Sequence, residues 1–98
     1  MGAPSNINPR DFYDDRKLRA RITPTHLIVF RTSLLPAEYP LQDIAAVKSY
    51  RLPGGQTAMA MEMSEEAHIE SPGIIFLDQD NADFFREELL HALTRLQG

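Results

Sequence analysis

Proline and glycine interrupt this chain at short intervals: Pro24, Pro36, Pro40, Pro53-Gly54-Gly55 and Ser71-Pro72-Gly73. Proline locks φ and donates no hydrogen bond, and glycine admits turn geometries closed to other residues, so each site punctuates the backbone. The stretches between them read as short strands. Lys17-Leu18-Arg19-Ala20-Arg21-Ile22 alternates polar and apolar strictly, the period-two mark of a strand with one wet and one buried face. The alternation predicts Leu18, Ala20 and Ile22 facing in and Lys17, Arg19 and Arg21 facing water. Thr57 to Met63 alternates in the same way, with Met59, Met61 and Met63 on one face.

Pro24 cannot sit in a central ladder, but it suits the second position of a type I or II turn. The primed two-residue hairpin turns need φ > 0 there and are excluded. A three- or four-residue loop over Pro24, Thr25 and His26 therefore joins strand 17–23 to strand 27–32, with His26 a tolerable occupant of the left-handed region. The loop length decides whether Leu27 and Val29 or Ile28 and Phe30 face inward with Ile22, and both registers stay open. Adding "AEYP", "IAAVKSYRL", "TAMAMEM", "AHIE" and "GIIFLD" gives about seven short strands with turns between them. The expectation is a mainly β, α+β domain, an antiparallel barrel or sandwich.

Near residue 80 the period changes. Ala82, Phe85, Leu89, Leu93 and Leu96 recur at spacings of three and four and predict a helix over 81–96 whose apolar stripe closes the sheet. Asp80 or Asn81 is the expected N-cap, and Arg95 suits the negative end of the helix dipole. Phe84 lies about 200° around the helix from Ala82, off the stripe. It is a candidate protein contact.

Ninety-eight residues with 43% hydrophobic content make one domain with a single modest core. Residues 1–16, rich in Gly, Pro, Ser and Asn at their start, are expected to be a flexible arm, with Met1 to Pro4 a cloning remnant and Phe12 and Tyr13 pinning the arm to a domain over 17–98. The chain has no cysteine, which removes thiolate metal sites and thiol catalysis. Its net charge of −4 argues against nucleic-acid binding, which needs a basic face. No apolar run approaches the ~18 residues of a membrane span, and the start lacks a signal-peptide core. The chain is expected to be cytoplasmic.

Seven strands followed by one helix is also the order of the pleckstrin-homology (PH)-like barrel. "RITPTHLIVF" resembles the strand–turn–strand opening of bacterial PH-like domains, "YPLQDIAAVKSY" their Pro-Leu-x-x-Ile-x-x-Val segment, and "IIFLDQDNADFFREELLHAL" their last strand and capping helix. The resemblance spans roughly residues 17–96. It implies a PH-like barrel or sandwich capped by one helix, and a tendency to form homo-oligomers. The chain lacks the helix tryptophan usual in eukaryotic PH domains, and its first hairpin loop is too short for their phosphoinositide-binding loop. Membrane headgroup contact is accordingly not favoured.

No catalytic, cofactor or metal signature stands out. His26, His68 and His91 have no ligand spacing, Glu65 and Glu66 read as solvated turn residues, and no serine sits in a nucleophile elbow. The methionine stripe reads as core filling. Lys17, Arg19 and Arg21, extended by Arg31 or Arg51 on neighbouring strands, form the one surface opposed to the net charge and are the candidate anionic-partner surface. The expected function is a non-catalytic binding or assembly module, not an enzyme, with a protein partner or self-association through the edges of 27–32 or 57–63 or through Phe84. Alternatives are a small regulatory or immunity-type protein with one specific partner, or an anionic-headgroup binder.

Overall fold

Asp14 and Lys17 face each other across a two-residue turn. Both turn residues, Asp15 and Arg16, have positive φ, 52° and 65°, as the type I′ turn requires to match the twist of paired strands. A computed structural model, describing residues 9–97, shows that this turn joins β1 (Arg10–Asp14) to β2 (Lys17–Ile22). The arm expected over 1–16 does not hold for its described part. Its first eight residues, including Met1 to Pro4, lie outside the described residues, and 10–14 form a strand. Left-handed backbone brings a Cβ too close to the following carbonyl oxygen and is therefore costly for residues other than glycine. Arg16→Gly is therefore expected to raise the unfolding free energy by about 1 kcal/mol, read as a higher urea midpoint at unchanged slope.

β2 continues into β3 (His26–Val29) through Thr23, Pro24 and Thr25. Thr23 organises this loop: its N–H donates to the His26 carbonyl at 2.9 Å, and its hydroxyl oxygen accepts from the N–H groups of His26 at 2.9 Å and Thr25 at 3.2 Å. Such local side-chain bonds are the usual turn-making use of threonine. His26 is not left-handed, as expected from the sequence, but opens β3 opposite Pro40. Pairing of Ala20 with Val29 and Ile22 with Leu27 puts Leu27 and Val29 on the inner face, where both are buried.

The chain continues through β4 (Ala37–Pro40), a 3-10 turn over Leu41–Asp43, β5 (Ile44–Arg51), β6 (Thr57–Met63), a 3-10 turn over Glu65–Ala67, β7 (Gly73–Phe76) and α1 (Gln79–Gln97). The fold is mainly β: seven antiparallel strands in two sheets, ordered β1-β2-β3-β4 and β5-β6-β7, plus one C-terminal helix. The sheets do not close into a barrel. "AHIE" is not a strand, because Ala67 ends a 3-10 turn and His68 is left-handed at φ 52°; β1 takes its place in the count of seven. β3 and β6 each lie between two strands. The self-pairing edges expected at 27–32 and 57–63 are therefore occupied.

Met59 and Met61 fill the core, as the alternation predicts. The helix buries Ala82, Phe85, Leu89 and Ala92, with Leu93 packed at the margin. Leu96, expected on the stripe, is 47% exposed. It borders a shallow cavity with Thr25, His26, Pro40 and Gln42, where loops give less cover than a sheet. Phe85 is the hinge of the core. Its ring meets Phe12 of β1 edge-on at 5.2 Å and Phe76 of β7 at 5.5 Å, joining both sheets to the helix.

Candidate functional site: a basic cleft between the sheets

The strict alternation of β2 breaks at Arg19. Phe12 pairs with Ala20 and Tyr13 with Leu18, which leaves Arg19 unopposed in a β-bulge. A bulge adds a residue to one strand and re-aims the side chains next to it. On the far side of it Leu18 shares a face with exposed Tyr13, and Lys17 with buried Asp14. Leu18, expected inward, is only half-buried.

Lys17 and Arg19 line one wall of a cleft of about 430 Å³. Arg31 and Thr32, just past β3, form a second wall, and Gly73 and Ile74 of β7 a third. Val29 and Ile74 supply apolar floor. Arg31 is steadied in its loop by donating from Nη2 to the Leu35 carbonyl at 2.6 Å. That loop also presents Leu34 and Leu35, which are 63% and 83% exposed.

Arg21 does not join them. It faces Asp11 across β1 and β2 and donates from Nε to Oδ1 at 2.5 Å and from Nη2 to Oδ2 at 3.2 Å, with its guanidinium 5.5 Å above the Phe30 ring. This fork-to-fork pair holds the Asp11 carboxyl below the usual carboxylate range. Arg51 ends β5 in the other sheet and is not among the cleft's lining residues. The row read from a spacing of two thus resolves into a cluster of Lys17, Arg19 and Arg31, with Arg21 committed to an ion pair. Phe84 packs on Phe12 at 5.4 Å beneath the Arg10 guanidinium at 5.9 Å, and 46% of it remains exposed.

Asp14 lies outside the cleft's lining and borders a separate cavity with Leu77, Asp78 and Asn81. It is 1% exposed, and its carboxylate accepts from the Leu77 N–H at 2.7 Å, the Asp78 N–H at 3.1 Å and the Asn81 amide at 3.1 Å. Burial pushes its pKa up, but these donors and the nearby Arg19 cation outweigh it and leave the pKa below the ordinary value. Asn81, a candidate cap, instead serves Asp14. The cap is Asp78, whose Oδ1 accepts from the Asp80 N–H at 2.8 Å. Thr57, also buried, donates its hydroxyl to Gln79 Oε1 at 2.7 Å.

No family model, curated protein or solved structure matches the chain. Among the described residues, no group of three or more His, Cys, Asp or Glu is placed to hold a metal ion, and no helix is long and apolar enough to cross a membrane. The cleft therefore stands on its own geometry. Asp14 and the bulge are the parts that sequence reading missed; the only sign of either was an acid at an inward period-two position before a turn.

Proposed function

We propose that the chain is a non-catalytic binding module of PH-like fold that takes an anionic group in the cleft of Lys17, Arg19 and Arg31. The observation that carries this reading is the convergence of three cations, from the start of β2 and the segment after β3, on one concavity of a chain with net charge −4. Supporting the fold reading, four strands, then three, then one helix succeed one another in the PH-like order. The cleft offers charge and an apolar floor but no paired nucleophile and base, which suits capture rather than turnover.

Amide NMR titration with inorganic triphosphate, a short acidic peptide and phosphatidylserine vesicles tests the reading. At least one probe is expected to move the signals of residues 17–19, 29–32 and 73–74 together. The response should weaken with salt and vanish in the Arg19→Ala, Arg31→Ala double variant, whose fold is checked by its unchanged melting. Silence from all three probes would overturn it. A second reading, contact with an anionic membrane surface, draws on exposed Leu34 and Leu35 beside Arg31, an apolar tip next to basic charge.

A further inference from the structure

We infer that the cleft's ligand is an extended acidic peptide segment, added as a strand along the free side of β7, with acidic and apolar side chains alternating. This rests on the reading of the cleft as an anion site and names its partner. Among the described residues β7 pairs with β6 alone, and Gly73 and Ile74 line the cleft; beyond the strand the Leu77 N–H is already bonded to Asp14, so the open edge is the stretch 73–76. An unpaired strand edge presents a row of N–H and C=O groups that another strand can satisfy.

The remaining edges carry devices that discourage pairing. β1 carries Arg10, Asp11 and Asp14, and Arg10 is bridged to Glu88 of α1 at 3.4 Å. β4 ends in Pro40. β5 carries Lys48, paired with Glu62 at 2.8 Å. Charge and proline are the common protections of an edge. β7 reads Gly-Ile-Ile-Phe and has neither.

The surroundings of β7 dictate the side-chain pattern. Residues of an added strand alternate between the two faces of the sheet. On the cleft side they meet Lys17, Arg19 and Arg31, which select carboxylates. On the outer side they meet Ile75 and Leu77, 46% and 52% exposed. Ile75 ends a cross-strand row through Ala58 to Tyr50, itself 53% exposed, and an apolar side chain on the added strand would extend that row. A lipid headgroup would satisfy the cations but not the edge, and the two-residue β1–β2 turn offers no glycine-rich backbone cradle for phosphate.

The test uses the full chain and short capped peptides, monitored by fluorescence anisotropy and amide NMR. A peptide alternating glutamate and valine is expected to bind, to shift the amides of residues 73–76 with those of the cleft, and to weaken about tenfold or more when alternate backbone amides are N-methylated. A loss of similar size, about tenfold, is expected for Arg19→Ala, Arg31→Ala with the parent peptide. A lysine–valine peptide should not bind. Equal binding of the N-methylated and parent peptides, or no movement of residues 73–76, would overturn strand addition. If triphosphate or phosphatidylserine vesicles move the cleft signals while the acidic peptide does not, this inference falls and the anion-site reading stands; if nothing moves them, both fall.

Discussion

Replacing Phe85 by alanine is expected to lower the unfolding free energy by about 3–5 kcal/mol. The ring is fully buried and touches Phe12 and Phe76, so truncation opens a cavity where the helix, β1 and β7 meet. Surrounding side chains relax only partly into such a void, so the lost contacts add to the lost transfer free energy. Urea unfolding monitored by far-UV circular dichroism measures it. Phe84→Ala is the internal control, because that ring packs on Phe12 but is half exposed, and its loss should be markedly smaller. A cost under about 1 kcal/mol for Phe85→Ala would mean that the helix is peripheral to the fold.

Removing the carboxylate of Asp14 is the second large effect. Asp14→Ala leaves the N–H groups of Leu77 and Asp78 without their acceptor and frees the Asn81 amide. An unsatisfied donor costs about 1–3 kcal/mol when it is buried; Leu77 and Asp78 are exposed residues, so water takes over part of what the carboxylate held and a total of about 1–3 kcal/mol is expected. The same group makes stability depend on pH. Its folded pKa lies below its ordinary value, so its contribution is fully present above the unfolded pKa of about 4 and is lost as pH falls through the lower folded value. Asp11, held down by Arg21, titrates in the same acid window. In Asp14→Asn the decline of stability below about pH 4 should therefore become shallower but not disappear. An unchanged acid limb would show that Asp14 is not charged in the folded protein.

Much of the architecture was legible because local period and tertiary burial agree. "AEYP" and "TAMAMEM" coincide with β4 and β6, and the switch to helical spacing falls within two residues of the start of α1 at Gln79. Where the two disagree, the reading failed. β1 places the charged Asp14 inward beside Phe12, an apolar–acidic pattern that means burial only once the donors of Leu77, Asp78 and Asn81 are known. The bulge at Arg19 is invisible to a pattern that alternates without a break, because the extra residue is counted against β1 rather than within β2. "AHIE" has strand-like residues, but backbone geometry at His68 ends any extended run. The candidate site was half legible: Lys17, Arg19 and Arg31 converge, while Arg21 found a partner in Asp11 that only cross-strand register reveals.

The hydrogen bonds that Asp14 accepts from Leu77, Asp78 and Asn81 bridge separations of 63, 64 and 67 residues. Closing a loop of that size costs entropy before any contact rewards it. Hairpins such as β1–β2 and β5–β6 need only short searches and can zip early, whereas the β1–helix junction must await most of the intervening chain. Substitutions at Asp14 should consequently accelerate unfolding far more than they slow folding, since a junction made after the rate-limiting step contributes little to that step. The same carboxylate that anchors the helix then sets the lifetime of the native state rather than the speed of reaching it.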